Sequence, residues 1–358
     1  MASTLAPLPS IRASPLADER PRAVAAWLLA CCALVFAMIV VGGVTRLTHS
    51  GLSIVEWQPI VGTLPPLDER QWQQAFDQYR TTPEYKLVNA GMALDEFKRI
   101  FWWEYAHRLL GRGIGVAFLV PFVLFLVRRR IPAGIGWKLA GIFALGGLQG
   151  ALGWAMVQSG LVDDPRVSPF RLTAHLALAF LILGAMLWVA LTLLFPADAP
   201  DDARTRSARR WSIGLAVLVL AMVITGGLVA GIHAGFAYNT FPLMNGQVVP
   251  PGILMLEPWW RNFFWNMATV QFDHRLGAWL LAVVAPLTWW SVLRAKAPRR
   301  ARIGAHGVLA MLAVQIALGI ATLLAVVPLP LAAAHQAGAV VLFSLALHLA
   351  HALRRGVR

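Results

Sequence analysis

Charge is scarce in this chain. Only 13% of its 358 residues are Asp, Glu, Lys or Arg, about half the roughly 25% of a soluble domain, which excludes a water-soluble globular protein. Cysteine is scarcer still, with Cys31 and Cys32 the only two. Neighbours on a helix point about 100° apart, so this pair cannot close an ordinary disulfide and is read as packing. A disulfide framework and a thiolate metal site are thereby excluded.

Apolar residues fill the space instead, at 58% of the chain. A helix needs about 20 of them in a row to cross the hydrocarbon core of a bilayer. Eight stretches qualify, at about 24 to 47, 104 to 127, 135 to 157, 172 to 195, 211 to 233, 270 to 293, 303 to 326 and 332 to 352. Arg12, Arg20 and Arg22 precede the first run. That run is too long for a secretory signal and no small-residue cleavage site follows it, which predicts a retained anchor.

The net charge of +14 is not evenly spread. With a cytoplasmic N-terminus, the inside segments hold 19 Lys/Arg and 5 Asp/Glu, and the outside segments hold 12 of each. This positive-inside bias places both termini in the cytoplasm. Clusters such as Arg128-Arg129-Arg130 and Arg299-Arg300 then call for anionic lipid headgroups, not nucleic acid. Two outside connections are long, about 48 to 103 and 234 to 269. The first carries Trp57, Trp72, Trp102 and Trp103 and an amphipathic stretch, DERQWQQAFDQYR, expected to lie on the membrane surface; Trp259, Trp260 and Trp265 end the second. Tryptophan at that depth forms an interfacial belt.

The chain also answers itself. GGVTRLTHSG at 42 to 51 is matched by GGLVAGIHAG at 226 to 235, HRLLG at 107 by HRLGA at 274, LQGALG at 148 by VQIALG at 314, and TAHLALA at 173 by AAHQAGA at 333. A constant order of matches predicts an internal duplication. Four helices per half give both halves one orientation. The expected architecture is an all-α polytopic membrane protein of two fused, repeat-related four-helix bundles. Its parts are a cytoplasmic leader at 1–23, a first bundle at 24–195, a linker at 196–210, a second bundle at 211–352 and a tail at 353–358.

Six of the nine histidines occupy matched positions: His49 with His233, His107 with His274, and His175 with His335. The last four open even-numbered helices near the outer surface, so each bundle offers two imidazoles at one depth. That arrangement grips a porphyrin iron from both sides. Small residues follow each of them (Gly111, Ala179, Gly277, Gly338), leaving room for a flat macrocycle, although such residues also serve helix packing alone. His49 and His233 suit capping or loop contacts as well as cofactor contact; His306, His348 and His351 are expected at the interface.

FWWEYAHRLLGRG, residues 101 to 113, sets Glu104 three residues before His107, on one helix face. The matching position 271 is glutamine. The halves therefore diverge in one chemical respect, and the first is expected to do chemistry while the second holds a permanent cofactor. A cap at the helix N-terminus, or an i,i+4 pair with Arg108, is the alternative use of Glu104.

Together, GGVTRLTHSGLS, EYAHRLLGR, LQGALGW, TAHL, DHRLGA and AHQ resemble the heme A synthases along nearly the whole chain. The resemblance implies a membrane oxidoreductase that oxidises a ring methyl of heme O to a formyl group. It implies a b-type heme between His274 and His335, heme O docking between His107 and His175, and an essential glutamate at Glu104. The branch is that of proteobacteria and mitochondria, because residues 48 to 103 lack the cysteine pair of the other branch. A bacterial inner membrane location follows, with the heme sites toward the outside. The implied partners are the substrate heme, an electron donor of open class, a heme O synthase, the bilayer and, as an option, a second copy of the chain. Three rivals use the same residues or spans. A diheme b-type electron carrier would need the four histidines alone, a non-heme iron oxygenase would use Glu104, His107 and His175 as a triad, and a transporter would require broken polar helices that are not evident.

Overall fold

The computed structural model describes residues 15–56, 61–162 and 165–355, so Arg12 and Trp57 lie outside the described residues. Among the described residues there are eleven α-helices and no strand: α1 (Pro15–Leu47), α2 (Glu69–Arg80), α3 (Pro83–Leu87), α4 (Leu94–Val127), α5 (Gly136–Gln158), α6 (Pro169–Leu194), α7 (Ala203–Gly231), α8 (Asn262–Trp265), α9 (Met267–Arg294), α10 (Arg299–Leu324) and α11 (Leu329–Ala352). Eight of them, all but α2, α3 and α8, are long and apolar enough to cross a membrane.

Helix starts follow ordinary capping chemistry. Asp202 accepts from the Arg204 and Thr205 amides at the head of α7, and Asn266 from the Ala268 and Thr269 amides at the head of α9, satisfying donors that the helix leaves free. Proline opens α6 at its first turn, where its missing N–H costs nothing. α4 begins about ten residues earlier than expected. Glu96 reaches back to the Ala93 amide at 2.9 Å, and the resulting helix of 34 residues is about 50 Å long, longer than a hydrocarbon core of about 30 Å. Glu104 and His107 consequently sit three turns or so inside the helix instead of at its mouth.

The early extension of α4 has a purpose in packing. Phe97, Phe101 and Tyr105 form an aromatic cluster with Phe76 and Tyr79 of α2, so the apolar face of the amphipathic stretch rests on α4.

Helix α1 packs on α4 and α6, and α5 on α6; α7 likewise packs on α9 and α11, and α10 on α11 and α9. The two sets meet through α6 on α7, α11 on α1, and α6 on α11. The core is dense toward the end that carries the chain termini, where Leu28, Leu139, Phe180, Leu183, Met186, Leu215 and Leu349 are fully buried. Burial along α6 and α11 is concentrated beyond His175 and His335. The histidines thus stand over a close-packed floor, at the more open end.

Close approach at the junction relies on missing side chains. A Cβ on Gly231 would lie 2.6 Å from Pro169 Cβ and 2.8 Å from its Cα, a contact no rotamer change relieves. Gly231→Ala is expected to cost about 1–3 kcal/mol of overpacking and to lower the melting midpoint in detergent by several degrees. Gly113→Ala, which faces open space, serves as the control and should leave the midpoint unchanged or slightly raised.

Candidate functional site

Each of the four matched histidines lies over a glycine of a neighbouring helix. A Cβ on Gly42 would stand 3.0 Å from His107 Nε2, and one on Gly226 3.3 Å from His274 Cε1. For Gly153 against His175 and Gly319 against His335 the distance is 2.9 Å to Cε1 in both cases. α4 and α6 make no extensive contact with each other, and neither do α9 and α11; α1 and α5 bridge the first pair, α7 and α10 the second. His107 and His175 nevertheless lie within electrostatic reach of one another, as do His274 and His335. Each half therefore holds two imidazoles across the space between diagonal helices, a donor set suited to the two axial positions of a porphyrin iron.

Polar atoms around these rings are left without partners. Gln149 Oε1, Gln315 Oε1 and His175 Nδ1 are buried and make no hydrogen bond. Buried polar groups are almost always satisfied, so unpaired ones gathered at a glycine-lined gap fit a site that takes a polar-edged flat ring. Gln149 donates to the His175 carbonyl at 3.0 Å and lies 3.4 Å from that ring. Gln315 does the same for His335, at 2.9 Å to the carbonyl and 3.2 Å to Nδ1. Neither glutamine stands out in LQGALG or VQIALG beside the histidine pattern. Their signal was present: Gln149 with Gly153 and Gln315 with Gly319 are i,i+4 pairs on one helix face.

Glu104 is engaged, not free. It is 2% exposed; Oε1 accepts from Arg108 Nη2 at 2.6 Å and Nε at 3.0 Å, and Oε2 from Ser53 Oγ and the Ile54 amide, both at 2.8 Å. Arg108 donates further to the carbonyls of Ile54 (2.7 Å) and Glu56 (3.1 Å). The i,i+4 pair named as the alternative is therefore the arrangement observed. The other half repeats it with an amide: Arg275 donates to Gln271 Oε1 (3.0 Å) and to the carbonyls of Tyr238 and Thr240. In both halves the arginine after the histidine clamps the loop that follows α1 or α7. Among the described residues no three His, Cys, Asp or Glu side chains come together to hold a metal ion, so Glu104, His107 and His175 do not form a non-heme iron triad.

His49 and His233 both take left-handed backbone, with φ of 51° and 59°, where α1 and α7 end. Their rings lie parallel, at 4° and 6.4 Å between centroids, beside the junction where the Arg46 guanidinium donates to the Ala230 carbonyl. Burial, with Arg46, His49 and Arg166 nearby, holds His233 below its usual range. His306 accepts from Trp289 at 3.0 Å. His351, expected at the interface, is instead 1% exposed, held between Thr192 and Arg300, because α11 turns it toward α6.

One buried acid escaped sequence reasoning. Glu84 of α3 is 4% exposed and accepts from Tyr79 Oη at 3.4 Å, while Asn89 donates to that oxygen at 2.7 Å. In TTPEYK it reads as an ordinary first-turn acid; only packing against α2 buries it. Burial, joined by the negative charge of Glu104, pushes its carboxyl up to about 7.

A family model described as "Cytochrome oxidase assembly protein" (COX15-CtaA) matches residues 25–347. The heme A synthase of Nitrosospira multiformis is 58% identical over 97% of this chain and 98% of its own length. That of Nitrosomonas eutropha is 58% identical over 90% and 92%, and that of Parvibaculum lavamentivorans 48% over 97% and 99%.

Glu84 yields a pH test. Its folded carboxyl holds a proton up to about 7, whereas an unfolded one releases it near 4.3. The unfolded state thus binds fewer protons between those values, and the fold loses stability as pH rises through the window. Glu84→Gln should raise the melting midpoint at pH 8, by the equivalent of roughly 3 kcal/mol, and leave it unchanged at pH 4. An equal effect at both values would remove the titration from the account.

Proposed function

We infer the activity from membership: the chain belongs to the COX15-CtaA family of cytochrome oxidase assembly proteins, and it is a heme A synthase, a membrane oxidoreductase that converts heme O into heme A. Beyond that, we propose a division of labour between two fused, parallel bundles. Heme O docks between His107 and His175, and a permanent heme b is held by His274 and His335. The four imidazoles, each against a glycine of a neighbouring helix, carry this reading, because each half brings two ring-nitrogen donors to diagonal helices.

Heme b, when bound, supplies one-electron transfer. The remaining steps fall to side chains. His107 and His175 orient the substrate ring. Glu104 and Arg108 fix the loop from Ser53 to Glu56 against α4, which closes the water side of the first slot and holds α4 in register. Methyl to formyl is a four-electron oxidation that breaks C–H bonds and adds one oxygen, so protons must move at the ring edge, and Glu104 is the carboxyl one turn from His107; we assign proton handling to its Oε1 and Oε2, with Arg108 hydrogen-bonded beside it. In the second half Gln271 keeps the clamp without an acid, as a site that carries electrons alone requires.

The positive-inside distribution supports cytoplasmic termini and heme sites facing outward in a bacterial inner membrane. The apolar flanks of the helices suit a substrate with a long hydrocarbon tail, entering from the bilayer.

Chromatography of hemes extracted from protein made in a host that supplies heme O tests the assignment. Wild type should yield heme B with heme O and heme A. Glu104→Gln should retain heme O and lose heme A by a hundredfold or more, the usual size of a general acid–base contribution. Heme B alone at two per chain would instead make the protein a diheme electron carrier.

A further inference from the structure

The two halves differ at the residue before the glycine that carries the first histidine. Residues 41–44 read Val-Gly-Gly-Val and residues 225–228 Thr-Gly-Gly-Leu, and His107 lies against Gly42 as His274 lies against Gly226. Thr225 Oγ1 stands 2.8 Å from His274 Nδ1 and 3.0 Å from the Met222 carbonyl. A hydroxyl has one proton and spare lone pairs. Given to the Met222 carbonyl, that proton leaves the oxygen to accept from Nδ1–H, which fixes the tautomer with Nε2 bare and able to bind iron. Valine at 41 can do neither, and among the described residues His107 has no hydrogen-bond partner.

The ring edges agree with this difference. At Gly226 the atoms of His274 nearest the backbone are Cε1 and Nδ1, so its Nε2 edge turns away from α7. At Gly42 the nearest atoms of His107 are Nε2 and Cδ2, so its Nε2 edge turns toward α1. One histidine is held ready as a ligand, and the other must turn to become one.

We propose that Thr225 is the positioning residue that makes the C-terminal heme permanent, and that Val41 leaves His107 unlocked so that the N-terminal site can release its heme. An acceptor oxygen behind a ligating imidazole commonly changes metal affinity by about 10- to 100-fold. A synthase needs the two slots to differ in this way, since one heme must leave as product and the other must stay. The proposal rests on reading His274 and His335 as the permanent site.

Heme transfer from full-length, detergent-purified protein to excess apomyoglobin tests it. In a His107→Ala, His175→Ala background only the C-terminal heme is read, and Thr225→Val should speed its loss by about 10- to 100-fold. Its reduction midpoint should also move positive, as a ligand without its hydrogen-bond acceptor donates less electron density to iron. Thr225→Ser, which keeps the hydroxyl, should match the parent on both readouts and so separates the hydrogen bond from packing. In a His335→Ala background, Val41→Thr should slow transfer from the first site. Unchanged transfer and midpoint in Thr225→Val, with heme still stripped by His274→Ala, would overturn the positioning role while leaving the site assignment intact. Heme retained by His274→Ala would overturn both.

Discussion

Two adjacent glycine pairs set the spacing on which everything else depends. Gly42 and Gly226 receive the imidazoles of His107 and His274, each from the same half of the chain. The next residue in each pair works across the junction: Gly43 lies against Gln336 of α11, and a Cβ on Gly227 would stand 3.0 Å from Thr173 Oγ1 of α6. Consecutive residues point about 100° apart on a helix, so one pair addresses two neighbours at once. A side chain at either position would separate the ring slot from the seam beside it, and backbone-to-backbone approach is what small residues give membrane helices in place of a hydrophobic driving force. Gln336 secures the seam by donating to the Ile39 carbonyl at 2.6 Å.

The polar groups beside the slots obey a second constraint. A buried ion pair gains little over an apolar pair, yet removing one partner leaves a charge stranded at a cost of about 3–5 kcal/mol. Glu104 and Arg108 meet that constraint by dividing their hydrogen bonds between each other and the Ser53–Glu56 loop, so neither charge faces the membrane alone. Gln271 and Arg275 reach a similar geometry with one charge fewer. Substitution of an acid by an amide between the halves therefore changes proton chemistry and leaves the mechanical clamp standing.

Much of this was legible in the sequence because the chain states it twice. Apolar run length located the eight long helices, and repetition narrowed nine histidines to six, of which His107, His175, His274 and His335 were the four expected to face a cofactor. What stayed hidden was decided by contact. α4 could not be seen to start at Leu94, because FKRIFWWE breaks the apolar run with charge and only the aromatic face offered to α2 repays its helical form. Glu84 and His351 look like surface residues in their local context; Glu84 is buried by packing against the preceding α2, and His351 by α6 and α10, far away in the chain. Thr225 stands one residue before the matched glycines, and a β-branched residue in an apolar helix gives no sign of which neighbour it will meet.

The arginine clamps also make the loops after α1 and α7 mechanical parts of the ring-bearing helices. Arg108 follows His107 directly, and it carries the backbone carbonyls of Ile54 and Glu56; Arg275 follows His274 and carries those of Tyr238 and Thr240. Any twist of α4 that swings His107 off its glycine must drag the first loop with it, since the guanidinium and imidazole share one stretch of backbone. The loop is then a pointer: its position at that end of the bundle follows how the ring beneath it is turned.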